Sequence, residues 1–245
     1  MDLLIDIGNS RLKWATRHNG KWHFGEPIVH EGNFQSCVDQ LWGDLPRPNK
    51  IALACVATSD AQQAIIDRAE MLWQKKVRIL NNSEQVYGIR SDYAKGELGV
   101  DRWLAVIGAR NLQPGDVAVV DCGSAVNIEF LGADNQYLGG MILPGLALMY
   151  QSLSDSTATN MGERVGFDGQ LGQSTDTAIA AGVICALTGA IEKAIQIAQE
   201  QYKRAWHVII TGGDASMLGP HLSIDYLLES NLVLVGMSEV LNWQE

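Results

Sequence analysis

The sequence predicts an α/β protein built from two related lobes. Three observations carry this. Short apolar strands alternate with amphipathic helical stretches. An apolar strand runs into an Asp-x-Gly turn twice, at Asp6-Ile7-Gly8 and at Asp121-Cys122-Gly123. Those two turns lie 115 residues apart in a chain of 245, close to half its length, as expected of a repeated unit.

Along the chain, Leu3–Asp6 reads as a buried strand that ends in the turn Asp6–Ser10. Leu12–Thr16 returns as a hairpin partner, and His18-Asn19-Gly20 turns the chain again before Lys21–Phe24. Phe34, Cys37, Val38, Leu41 and Trp42 recur at helical spacing behind Asn33, a suitable N-cap. Ile51–Val56 reads as a strand, Ser59–Lys75 as a helix and Val77–Leu80 as a strand. Asn111–Gly115 combines turn formers with a break in pattern and marks the internal boundary, giving lobes 1–114 and 115–245. Beyond it come the strand Val117–Val120, the second Asp-x-Gly turn and a helix-rich stretch over Thr177–Lys203. A third strand then meets the turn Thr211-Gly212-Gly213-Asp214.

Composition bounds the function. The chain is 47% hydrophobic and 19% charged, enough for a sizeable core, so disordered and low-complexity classes are out. Eighteen Lys and Arg against 28 Asp and Glu leave a net charge of −10, which argues against nucleic acid as a partner. The cysteines at 37, 55, 122 and 185 and the histidines at 18, 23, 30, 207 and 221 show no metal-ligand spacing. All four cysteines are expected to be buried thiols, and Trp42, Trp73, Trp103 and Trp206 to lie in the core or an interface. The most apolar windows, Leu138–Tyr150 and Ala178–Ile191, are short or rich in glycine, so no membrane span is expected. The expected location is the cytoplasm.

The glycine turns suggest chemistry. A carboxylate at a strand end is a hard oxygen ligand for magnesium or its waters. The adjacent glycine lets backbone N–H groups approach a phosphate. Asn9, Ser10 and Ser124 add short donors. Lys13 reads either as a phosphate ligand or as a solvated strand lysine. Two such hairpins facing across a cleft would hold a polyphosphate from both sides. The chain has no G-x-x-x-x-G-K-[ST] loop and no G-x-G-x-x-G after a strand. The pattern resembles the actin, sugar kinase and heat-shock ATPase superfamily, which implies two duplicated ribonuclease H-like lobes with a nucleotide cleft between them.

Further segments narrow the resemblance. Leu98-Gly99-Val100-Asp101-Arg102-Trp103 precedes an apolar helix, Gly139-Gly140-Met141-Ile142-Leu143-Pro144-Gly145-Leu146 follows the second hairpin, and Ser174-Thr175 leads into a long helix. Together with Asp6–Lys13 and Asp121–Ala125, in this order and at this length, the sequence is similar to the type III pantothenate kinases from Asp6 to about Gly213.

That resemblance implies ATP-dependent phosphorylation of pantothenate to 4′-phosphopantothenate, the first step of coenzyme A synthesis. It implies magnesium, a monovalent cation (potassium or ammonium) and a homodimer. By motif, Asp6, Ile7, Gly8, Asn9, Ser10, Arg11, Leu12 and Lys13 form the first ATP-binding hairpin, and Ser124 also contacts ATP. Asp101 is the proton acceptor. Tyr93, Gly99, Val100, Asp101, Arg102 and Thr175 contact pantothenate. Asp121 binds the monovalent cation, and Asp6 is the candidate magnesium ligand. For Thr175 the alternative is a helix cap. For Gly139-Gly140 and Pro144-Gly145 the choice is between a pocket floor and packing turns. The second hairpin departs from the family's D-x-G-T-A-x-T-x-D at Ser124, Asn127 and Glu129. Two other readings remain: a non-catalytic regulatory relative, and a kinase of this superfamily with another small alcohol as acceptor.

Overall fold

The computed structural model describes residues 1–30, 34, 42, 45–94, 96–156 and 166–243. In chain order the strands and helices are β1 (Asp2–Ile7), β2 (Arg11–His18), β3 (Lys21–Phe24), β4 (Ile28–Val29), β5 (Lys50–Cys55), α1 (Ser59–Trp73), β6 (Arg78–Ile79), β7 (Arg90–Ser91), α2 (Val100–Leu112), β8 (Val117–Cys122), β9 (Ala125–Leu131), β10 (Gln136–Pro144), α3 (Leu146–Ser156), α4 (Thr175–Tyr202), β11 (His207–Thr211), α5 (Ala215–Leu218), β12 (Tyr226–Leu228) and α6 (Leu232–Asn242). The helix expected behind Asn33 lies largely outside the described residues. Phe34 and Trp42, which bracket it, are both helical.

The chain forms two compact units. The first comprises Met1–Leu112 with Leu232–Glu245, and the second Gln113–Asn231. Sequence order put 232–245 in the second lobe, so the C-terminal helix is the point of difference. Two glycines explain it. A Cβ on Gly236 of α6 would collide with Leu104 O of α2, and one on Gly108 of α2 would collide with Leu232 O. The two helix backbones therefore touch, and α6 joins the unit that holds α2.

In the first unit the sheet runs β3-β2-β1-β5-β6, with β4 paired to β2. β1 is antiparallel to β2 and parallel to β5. The β2–β3 turn has Asn19 at φ 49° and Gly20 at φ 77°, the paired positive φ values of a tight hairpin. Leu3, Ile5, Ile7, Ile51 and Leu53 pack against Ala61, Ile65, Ala69 and Trp73 of α1. Thr58 caps α1 by accepting from Ala61 N–H at 3.4 Å.

Within the second unit the order is β12-β11-β8-β9-β10. β8 is antiparallel to β9 and parallel to β11. Each unit thus has a central strand with its hairpin partner on one side and a later parallel strand on the other. This is the related topology that the repeated Asp-x-Gly turns predict. Val120, Cys122, Val126, Ile128 and Phe130 pack against Ile184, Leu187, Ile191 and Ile195 of α4.

Two expectations change. The window Ala178–Ile191 lies inside α4, which at 28 residues is long and apolar enough by length and composition to cross a membrane, although its inward stripe is committed to this core. Cys185 is exposed on α4 and Cys55 is half-buried, so only Cys122 among the described cysteines is a buried thiol. Cys185 lies outside the buried stripe of Ile184, Leu187 and Ile191. The four tryptophans at 42, 73, 103 and 206 are buried.

Candidate active site

The first hairpin is built by register. Asp6 stands opposite Lys13, and Ile7 opposite Leu12. Directly opposed residues share a face, so the carboxylate and the ammonium belong to the same side of the sheet. Gly8 N–H donates to Arg11 O at 3.0 Å and closes the turn. Asn9, Ser10 and Arg11 are exposed at its tip, and Asp6 is 9% exposed at its base. Ile7 and Leu12 are fully buried in the core, so only their main-chain atoms can face a ligand.

The second hairpin repeats this arrangement in the other unit. Asp121 stands opposite Asn127, and Gly123 N–H donates to Ala125 O at 3.0 Å. Gly145 N–H donates to Ser124 O at 3.0 Å. A Cβ on Gly145 would run into the carbonyls of Gly123 and Ser124, so this glycine lets the β10–α3 junction lie directly on the turn. Gly145 is therefore needed for packing. Thr211 pairs with Asp121 on the other side of β8. Gly212 has φ +96°, and a Cβ there would lie 2.5 Å from Asp121 Oδ1. Gly212 therefore lies directly against the Asp121 carboxylate and Cys122 O, closer than a side chain would permit. Asp214 N–H donates to Cys122 O at 2.9 Å. Burial, then the charges of Asp121 and Asp214, push the Cys122 thiol up to about 12.

The third cluster sits at the start of α2, in the first unit. Trp103 N–H donates to Gly99 O at 3.1 Å, opening the helix. Asp101 falls in the first turn, where the helix end favours an anion. Its Oδ1 accepts from Arg102 N–H at 2.8 Å. A Cβ on Gly99 would lie 2.5 Å from that same Oδ1, so Gly99 makes room for the carboxylate to fold back over the helix start. Val100 is the first helical residue. The Arg102 guanidinium carbon lies 5.7 Å from the centre of the Tyr93 ring, a cation–π distance. Next to them a pocket of about 190 Å³ is lined by Asn82, Ser91, Tyr93, Leu98 and Trp103 among others. Trp103 is anchored by its Nε1–H, which donates to Glu84 O at 3.0 Å.

Thr175 is the first residue of α4 and is exposed. The cap is Ser174, in a capping box with Thr177, so the capping role considered for Thr175 belongs to its neighbour. Asp6–Lys13, Tyr93 and Gly99–Arg102 therefore lie in the first unit, and Asp121, Ser124 and Thr175 in the second.

Two acidic residues outside the expected site set have defined surroundings in the second unit. Asp214 reaches Cys122 because the Gly212-Gly213 turn folds onto the end of β8. The Gly-Gly-Asp run after a strand was the available signal. Glu129, one of the departures from the family pattern, is 1% exposed and accepts from the Tyr137 hydroxyl. It stands opposite Gly140, whose missing Cβ leaves room for that carboxylate. Its extra methylene is thus accommodated inside the sheet's packing. Gly139, at φ +102°, lies in an irregularity of the β9–β10 ladder.

The paired units and their Asp-x-Gly hairpins define the actin-like ATPase and sugar kinase class of fold. A Baf family protein from Campylobacter jejuni, described as a transcriptional activator, superposes with TM-score 0.63 at 22% identity, covering 98% of this chain and 96% of that one. A protein from Sinorhizobium meliloti described as a 2-dehydro-3-deoxygalactonokinase gives TM-score 0.63 at 14% identity, covering 100% and 98%. Both likenesses concern the fold alone. The pattern of the type III pantothenate kinase family matches residues 2–197. A type III pantothenate kinase from Chromobacterium violaceum is 37% identical over 248 residues, covering 99% of this chain and all of that protein. The chain belongs to the type III pantothenate kinase family.

Proposed function

We propose that the protein transfers the γ-phosphoryl group of ATP to the primary alcohol of pantothenate, giving 4′-phosphopantothenate and ADP. The observation that carries this is family membership over residues 2–197. The regulatory reading is disfavoured, because the relatives at 37% and 33% identity over nearly the whole chain are kinases by name.

In this reading the Asp6–Lys13 and Asp121–Ala125 turns hold the polyphosphate through backbone N–H groups, with Ser124 adding a hydroxyl. Arg102, steadied by Tyr93, orients the acceptor through its planar fork. Asp101 takes the hydroxyl proton as the alcohol oxygen bonds to the γ-phosphorus. The bond from that phosphorus to the bridging oxygen breaks, and ADP leaves. Because such transition states are loose, placing the acceptor in line matters more than base strength. Thr175, exposed at the start of α4, is assigned to pantothenate.

The donors present fit the expected cations. Asp6 offers a hard carboxylate at a strand end, suited to magnesium. The Asp121 carboxylate near the end of β8 is an oxygen donor that would suit the expected monovalent cation. Bound there, the cations supply charge neutralisation of the phosphates. We also assign a homodimer and a cytoplasmic location. The exposed small-residue face of α4 (Ala178, Gly182, Ala186) supports the first. The absence of disulfides among the described cysteines supports the second.

The test is a coupled ADP-release assay with ATP and magnesium, with and without pantothenate, in potassium and in sodium buffer. Turnover that needs both pantothenate and potassium is expected. A folded, ATP-binding protein that turns over under no cation would overturn the reading.

A further inference from the structure

We propose that His30 is a positioning residue for the first ATP-binding turn. The inference rests on the reading of Asp6–Lys13 as a phosphate-binding hairpin. His30 is 5% exposed and directly follows β4. That short strand pairs with Arg11 and Leu12, so it delivers His30 to the back of the turn. Two of its groups then grip the turn's main chain. The ring Nε2–H donates to Gly8 O at 3.0 Å, since a carbonyl can only accept. The His30 backbone N–H donates to Ser10 O at 3.4 Å. The ring is held from the other side by Phe34, with centroids 4.5 Å apart.

Peptide geometry gives this grip a consequence. In a planar trans peptide the C=O and N–H point in opposite directions. The described peptides are all trans. With Gly8 C=O drawn inward to the buried imidazole, Asn9 N–H is aimed the other way, on the exposed tip of the turn where a phosphate oxygen would arrive. Glycine at position 8 is the residue least able to hold its own peptide orientation, because it has no Cβ to restrict φ and ψ. His30 supplies the restraint that Gly8 lacks. Without the ring donor the Gly8–Asn9 peptide is free to rotate, and the N–H that should meet the nucleotide turns away.

Two full-length variants separate this role from simple core packing. His30→Phe keeps a ring against Phe34 and removes the donor. His30→Gln keeps an N–H donor and loses the ring. The readouts are calorimetric binding of ADP with magnesium and the KM for each substrate. The ADP affinity of His30→Phe is expected to fall about threefold to tenfold, the worth of one hydrogen bond. His30→Gln should stay within about twofold of the parent protein, and the KM for pantothenate should be unchanged in both. Parent-like ADP binding by His30→Phe would overturn the proposal. So would equal weakening in the two variants, equal rises in both KM values, or loss of the fold in His30→Phe, since each makes the histidine structural only. The parent protein is measured alongside. If it binds no nucleotide, the kinase reading itself fails; if it binds and His30→Phe matches it, only the role of His30 falls.

Discussion

The guanidinium of Arg102 lies 5.7 Å from the ring centre of Tyr93, across a loop that separates them by nine positions in sequence. This contact links the residue just upstream of the Gly99–Arg102 segment to the helix start, beside the pocket lined by Trp103 and Leu98. The loop that carries Gly96 at φ +89° brings the ring to the arginine.

The first prediction concerns this pair. A cation–π contact contributes about 0.5–2 kcal/mol, so Tyr93→Leu should raise the KM for pantothenate about threefold to thirtyfold. Tyr93→Phe should remain close to the parent protein. Steady-state kinetics with saturating ATP reads this out. A KM rise of the same size in Tyr93→Phe would mean that the hydroxyl matters and the ring does not.

The second concerns Asp101. Asp101→Asn should lower kcat about 10²–10⁴-fold with little change in melting temperature. Gly99→Ala should act through the same carboxylate, because the new methyl would displace Asp101 Oδ1. A loss of about 10²-fold is expected from misplacement alone. Nucleotide affinity should survive in both variants. Full activity in Gly99→Ala would show that the carboxylate position seen beside Gly99 is not the working one.

The third tests the assignment of the C-terminal helix to the first unit. Gly236→Ala would press a methyl against Leu104 O. Overpacking of this kind costs about 1–3 kcal/mol. Thermal and urea unfolding should both show it. Gly166→Ala, where a Cβ meets nothing within 4 Å, should not destabilise.

The fourth concerns pH and thiols. Burial, with Asp121 and Asp214 nearby, raises Cys122 from 9.0 to about 12. A raised folded value leaves the neutral thiol's stability contribution intact below pH 9. That contribution is lost as pH climbs from about 9 toward 12, because the unfolded chain ionises first. Stability should therefore fall across that window, and Cys122→Ser should flatten the fall. Maleimide labelling mapped by mass spectrometry at pH 8 should modify the exposed Cys185 and leave Cys122 unlabelled until the protein unfolds.

Much of this was legible in residue order. The alternation of strands and helices, the repeated Asp-x-Gly turns and the apolar run before each are local patterns, and local patterns fix local structure. The central strands, the hairpins, α1, α2 and α4 all fall within a few residues of their expected spans. The Gly99–Arg102 segment stood out through its resemblance to the family pattern, whereas the room that Gly99 leaves for the Asp101 carboxylate shows only in the structure.

What tertiary structure alone decided depends on residues far apart in sequence. No local signal tells that Gly236 touches Leu104, so the helix at 232–242 could only be assigned to the first unit from its packing. The same holds for Gly145 against Ser124, Gly140 against Glu129 and Gly212 against Asp121. In each case the glycine is required by a distant carbonyl or carboxylate that would occupy its Cβ. His30 reads in the sequence as an isolated histidine with no metal spacing. Only the pairing of β4 with β2 sets its ring against Gly8 O, 22 residues away. The sequence by itself determined the local strands and turns and, through its resemblance to a family, which residues are candidates for the chemistry. Close packing and hydrogen bonding between distant segments decided how those turns are held, because such contacts have no period for a sequence to display.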